Sequence, residues 1–208
     1  MDKNKIINEL KEEIKNKYDE TRNAVGEKIF RGHSRCISTD IEDAIARFIS
    51  KILSEYKIFL DPSITINKKT YRPDLLVINQ KDEVVAFMEI KARMGYCRDA
   101  KAKEALNKMI TYDNKFKNND LTCKFSYGSS PVKVKYDKNV KLFFVSLSSN
   151  NCNNHDHIKN NEYARNTNKH KLVSYFTLFK GIYDDLKNVD KELNDISIDN
   201  FYDAIIKL

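Results

Sequence analysis

Polar and apolar positions change period several times along the chain. Residues 2–19 are largely polar around a thin apolar stripe, Ile6, Ile7, Leu10 and Ile14, whose spacing predicts one face of a helix. Residues 20–38 show little periodicity, and Gly26 and Gly32 predict a connecting loop. A stronger helix is predicted to begin at Ser38-Thr39-Asp40, residue types that cap helices, and to run to about Tyr56. Its apolar face is Ile41, Ile45, Phe48, Ile49, Ile52, Leu53 and Tyr56. Three β-type runs follow: Ile58 to Lys68, Thr70 to Ile78, and Val84 to Lys91. The short polar linker Asn79-Gln80-Lys81-Asp82-Glu83 suits an antiparallel hairpin between the last two. A helix is predicted from about Asp99 to Phe116, with Ala102, Ala105, Leu106, Met109 and Ile110 on its apolar face. Residues 117–139 read as loop, with turn signals at Gly128, Ser129, Ser130 and Pro131. Val140 to Leu147 is nearly all apolar, the profile of a buried central strand. A polar loop to about His170, a helix from Lys171 to about Asn188 and a short helix from Ile198 to Lys207 complete the reading.

That order predicts an α/β fold, a small mixed sheet with helices on both sides. Val84 through the following helix to Leu147 has the form of a βαβ crossover, which is right-handed almost without exception. The 208 residues suit one domain spanning 1–208, and 41% hydrophobic residues suffice for a core. No run approaches the roughly eighteen consecutive apolar residues of a membrane span. The start, Met1-Asp2-Lys3-Asn4-Lys5, is not followed by the apolar stretch of a secretion signal, so a soluble cytoplasmic protein with no membrane partner is expected. Cys36, Cys97, Cys123 and Cys152 are scattered, as reduced thiols are. Cys152, His155 and His157 have spacing that suits a metal, yet no second ligand pair accompanies them, and a polar asparagine-rich loop accounts for them better.

The net charge of +7 is unevenly placed. Residues 93–154 carry twelve Lys/Arg against five Asp/Glu, whereas residues 181–208 carry three Lys against seven acids. A basic middle suits a face presented to a polyanion. Abundant Lys, Asn and Ile also follow from AT-rich coding, so charge alone only tilts the reading toward nucleic acid.

Candidate chemistry concentrates on two of the strands. Arg72-Pro73-Asp74 stands at the entrance of one, and Glu89-Ile90-Lys91 closes the next. Alternation puts Phe87, Glu89 and Lys91 on one face and Met88 and Ile90 on the other, and a hairpin sets Asp74 beside Glu89. Two carboxylates and the Ile90 carbonyl are hard oxygen donors suited to Mg²⁺, with Lys91 beside them to orient a nucleophile or stabilise a phosphoryl transition state. Glu42 adds a second test. At about 100° per residue it falls on the apolar arc of its helix, between Ile49 and Leu53, while Asp43 faces outward. Two explanations stay open for an acid on the apolar arc there: metal coordination, direct or through water, and a favourable helix dipole.

These residues resemble the PD-(D/E)xK nuclease superfamily, the restriction-endonuclease-like fold. Pro73-Asp74, Glu89-Ile90-Lys91 and Glu42 match its motif, and residues 39–147 match the order of its αβββαβ core. The resemblance implies a metal-dependent endonuclease of a restriction or defence type, with Asp74 and Glu89 as ligands of Mg²⁺ (Mn²⁺ substituting), Lys91 as the catalytic lysine and Glu42 as a supporting acid. DNA is the implied partner. A homodimer, a nuclease subunit with a separate recognition partner, and a non-catalytic nucleic-acid-binding module on the same fold remain alternatives. Arg93, Arg98, Lys101 and Lys103 surround the start of the next helix and are candidates for phosphate contacts, with Tyr96 for stacking. An ordinary solvated helix face explains the same residues. The loop 150–170, with Arg165, Lys169 and His170, suits a groove or simple disorder.

Overall fold

Strands that alternate between two buried faces organise the protein. The computed structural model describes residues 2–22, 37–92, 99–125, 130–148, 159, 162–164, 166, 173–179 and 197–208. Its helices are α1 (Lys3–Arg22), α2 (Ser38–Ile52), α3 (Asp99–Phe116) and α4 (Ile198–Ile205). Its strands are β1 (Lys57–Leu60), β2 (Ser63–Ile66), β3 (Lys69–Tyr71), β4 (Leu75–Ile78), β5 (Glu83–Lys91), β6 (Asn119–Lys124), β7 (Val132–Ser148) and β8 (Val173–Phe179). All eight form one mixed sheet in the order β1-β4-β5-β7-β6-β2-β3, with β8 paired to β7. β7 runs parallel to β5 and to β8, and every other pairing is antiparallel.

One face of the sheet carries α1, α2 and α4. There Ile14, Ile41, Ile45 and Phe48 pack with Leu75, Val77, Met88, Ile90 and Val145. The predicted stripe of α1 is buried in full, and Lys51 reaches Glu9 at 2.7 Å between α2 and α1. Phe201 of α4 stacks on Phe48 at 5.9 Å between ring centroids. The opposite face carries α3, whose Leu106, Met109 and Phe116 pack with Leu76, Phe87, Leu142 and Phe144. Phe87 thus faces one core while Met88 and Ile90 face the other, as strand alternation requires.

Four expectations are corrected. The N-cap of α2 is Ile37, and no side chain caps the helix; Ser38 is already helical. The helix stops at Ile52, where the Leu53 N–H closes it onto the Ile49 carbonyl at 2.8 Å. The first β-type run is two strands, because Asp61 adopts φ 43 and Pro62 follows it. β1 therefore pairs β4 near one edge, while the β2–β3 hairpin, turning through Asn67 (φ 50) and Lys68 (φ 65), lies at the other edge. The second run likewise breaks at Arg72-Pro73-Asp74, between β3 and β4.

Where a loop was expected over 117–139, the described residues hold β6 and the first part of β7: Val134 and Tyr136 are buried while Lys133 and Lys135 face solvent, and 126–129, with Gly128 and Ser129, lie outside the described residues. The segment predicted as a helix from Lys171 contains β8 instead. β8 is buried at all but one position, next to the buried centre of β7. Residues 180–196 and most of the polar loop before Lys171 lie outside the described residues. No described helix is long and apolar enough to cross a membrane.

Candidate active site

The β4–β5 hairpin builds the site. Its register pairs Leu75 with Met88, so one further antiparallel step sets Asp74 across from Glu89. Asp74 lies in the bend that Pro73 imposes before β4, and its carbonyl accepts the Asp61 N–H at 3.0 Å. The Ile90 N–H donates to Asp74 Oδ2 at 2.7 Å, which fixes that carboxylate against the end of β5.

Two lysines meet the acids. Lys91 Nζ donates to Glu89 Oε1 at 2.7 Å and to the Ile90 carbonyl at 3.1 Å, and it stands 3.4 Å from Asp74 Oδ2. Lys108 Nζ, arriving from α3, spans both Glu89 oxygens at 3.0 and 3.1 Å and lies 3.7 Å from Asp74 Oδ1. The Glu89 side chain is only 1% exposed, so these ammonium groups replace the water that a buried carboxylate has lost.

Electrostatics follow from that crowding. Burial, then the charge of Asp74, raises the Glu89 pKa against the pull of Lys91 and Lys108. Burial alone would lower the Lys91 pKa, but the negative charges of Glu89 and Asp74 outweigh it and raise the value; Lys108 behaves in the same way. Glu42, near the start of α2, is half-buried and its pKa is pushed up to about 7, by burial first and then by Asp74, Asp61 and Glu89, with Lys91 opposing. Asp61 is raised as well, by burial and then by Asp74. Asp43, the next residue to Glu42, is exposed, as the helical arc predicts.

Asp74, Glu89 and Lys91 therefore meet directly, and Glu42 lies within their electrostatic reach. Sequence reasoning missed Lys108 and Asp61. Lys108 lies on the flank of the α3 stripe, where a lysine ordinarily reaches solvent, so periodicity gives no signal for it. Asp61-Pro62 has the form of a turn, which is a signal for the bend but not for the field of Asp74. Of the candidate phosphate contacts, Arg93, Tyr96 and Arg98 lie outside the described residues, as does the side chain of Lys101. Lys103 is exposed, with its ammonium 5.5 Å from the centroid of the Tyr163 ring. Arg165, Lys169, His170, Cys152, His155 and His157 also lie outside them.

The donor chemistry fits a small hard cation. One oxygen each from Asp74, Glu89 and the Ile90 carbonyl converges on a single positive centre, the Lys91 ammonium. Among the described residues no three His, Cys, Asp or Glu side chains group as a metal site. Two carboxylates and a carbonyl would leave the remaining positions to water and substrate, which is the usual habit of Mg²⁺. Comparison with family models, curated proteins and solved structures returns no match for the chain.

Proposed function

We propose that this chain is a metal-dependent phosphodiester hydrolase acting on DNA, working by the PD-(D/E)xK scheme. The observation that carries this reading is the convergence of Asp74, Glu89 and the Ile90 carbonyl on one cation, the Lys91 ammonium. The element order α2, hairpin β4–β5, α3, β7 supports the restriction-endonuclease-like core, with β2–β3 as an excursion to the far edge of the sheet.

Asp74, Glu89 and the Ile90 carbonyl would hold Mg²⁺ or Mn²⁺, which supplies charge neutralisation at phosphorus and a more acidic bound water. The Ile90 N–H keeps Asp74 oriented through Oδ2. Lys91, released from the three oxygens it now contacts, keeps its charge at the reacting centre and can orient the attacking water or stabilise the phosphorane-like transition state. Glu42 supports the site from α2, as a carboxyl able to exchange a proton near neutral pH.

Purified protein should cut plasmid, linear or branched DNA with Mg²⁺ or Mn²⁺ and stop on chelation. Uncut DNA in every format, with no cut after a partner protein is added, rejects the proposal. One observation favours a second reading: two acids and two lysines already neutralise one another, as in a purely structural ion-pair cluster. A non-catalytic DNA-binding module would then bind nucleic acid in a salt-sensitive way that Asp74→Ala leaves unchanged.

A further inference from the structure

The two lysines of the cluster have different origins and different hold on the acids. Lys91 belongs to β5 and uses Asp74 Oδ2, the same oxygen that accepts the Ile90 N–H. Lys108 belongs to α3, straddles both oxygens of Glu89, and faces the other Asp74 oxygen, Oδ1. Its side chain is 36% exposed, against 18% for Lys91. An ammonium at that exposure regains much of its hydration on release, so it is the cheaper of the two to displace.

We infer that Lys108 is an exchangeable counter-cation of the acid pair, holding Glu89 in its ligating position in the metal-free protein and competing directly with an entering divalent ion. This rests on the metal-dependent reading above and adds a positioning residue to it. Charge balance supplies the reason. Asp74 and Glu89 carry two negative charges, which Lys91 and Lys108 match; a dication among the same oxygens matches them alone. Metal entry is therefore an exchange, in which Lys91 leaves the three oxygens it contacts and Lys108 gives up both Glu89 oxygens. The lysine stores the carboxylate in a usable orientation, because a buried acid with no cation would turn toward solvent or take up a proton.

A structural tie and a competing cation respond oppositely to removal of the charge. Lys108→Met keeps the aliphatic stem against α3 and deletes the ammonium. Undamped, a unit charge about 4 Å from an entering dication changes its affinity by orders of magnitude; solvent and counterions leave about tenfold as the expected tightening. Lys108→Arg keeps the charge and should stay near the wild type.

The measurement is Mn²⁺ binding to the full chain without DNA, read from the free Mn²⁺ signal in electron paramagnetic resonance. Melts followed by circular dichroism would verify folding. Lys108→Gln serves as a second neutral variant should Lys108→Met not fold. A dissociation constant about tenfold lower in the neutral variants, with Lys108→Arg near wild type, supports the inference. Equal or weaker binding in the neutral variants overturns it while leaving the metal-dependent reading in place. No Mn²⁺ binding by wild type or variants removes both.

Discussion

Glutamine in place of Glu42 should abolish a loss of stability that the wild type suffers as pH rises. Glu42 ionises near 4.5 when unfolded and near about 7 when folded, because burial and the charge of Asp74 disfavour its anion. Below the lower value it is protonated in both states and costs nothing. Between the two the unfolded chain releases the proton while the native protein retains it, so stability falls as pH rises and levels off above about 7. That interval corresponds to roughly 3 kcal/mol at most. Glu42 is only half-buried, so solvent screening reduces the expected loss to about 1–2 kcal/mol. Urea unfolding of wild type and Glu42→Gln at pH 4.5 and pH 8, with chelator present, measures it. Asp61 and other groups that titrate in both proteins contribute to both and largely cancel in the difference. The variant should gain about 1–2 kcal/mol on the wild type between the two pH values. Parallel pH dependences would show that Glu42 ionises normally and that the crowding of acids around Asp74 has been misjudged.

Other perturbations test separate parts of the structure. Lys91→Ala should lower cleavage by about a hundredfold or more while sparing DNA binding, and unchanged cleavage in a gel assay rejects its assigned role. Mn²⁺ at about a hundred times its dissociation constant should stabilise the fold by ~2.7 kcal/mol, and Asp74→Asn should remove that gain in parallel denaturation curves. Tyr136 donates a 2.7 Å hydrogen bond to Asp113 Oδ1 with both side chains buried, so Tyr136→Phe should cost about 1–3 kcal/mol in urea. An unchanged midpoint would mean that this pair does not fasten α3 to β7.

The β4–β5 hairpin was legible because its signals are local. The 79–83 linker is short and polar, β5 is long and apolar, and alternation alone separates Glu89 from Ile90. The α2 stripe was legible for the same reason, and it placed Glu42 on the covered side and Asp43 on the open one. β6 and early β7 were hidden by their composition: the solvent-facing side of these strands is free to be lysine and aspartate, so the average looks like loop. The alternation of Lys133 and Lys135 with Val134 and Tyr136 was the usable signal. β8 fails for the opposite cause. Val173 and Tyr175 enter one core while Phe176 and Leu178 enter the other, and a short run buried on both faces shows no period that distinguishes strand from helix. Lys108 could not be found at all, since its partner lies nineteen residues back, on the far side of a helix-to-strand packing contact.

The charge pattern of the site argues against a purely structural purpose. Asp74 acts on Glu42, Asp61 and Glu89, and among the described residues the ammonium groups of Lys91 and Lys108 are the cations that touch Asp74 and Glu89. If all four carboxyls ionise they outnumber those two cations, although Arg72 also lowers the pKa of Asp61. Burial is the first cause of the rise at Glu42 and Asp61, and the neighbouring acids add to it. A cluster kept for stability alone would do better with apolar side chains at the buried positions, because a well-packed hydrophobic group avoids the desolvation that Glu89 suffers. Negative charge held at strand ends beside a carbonyl oxygen is instead the condition under which a small dication binds with gain. The destabilised acids and the candidate metal position are therefore one feature, seen first through protons and then through the ion that would displace them.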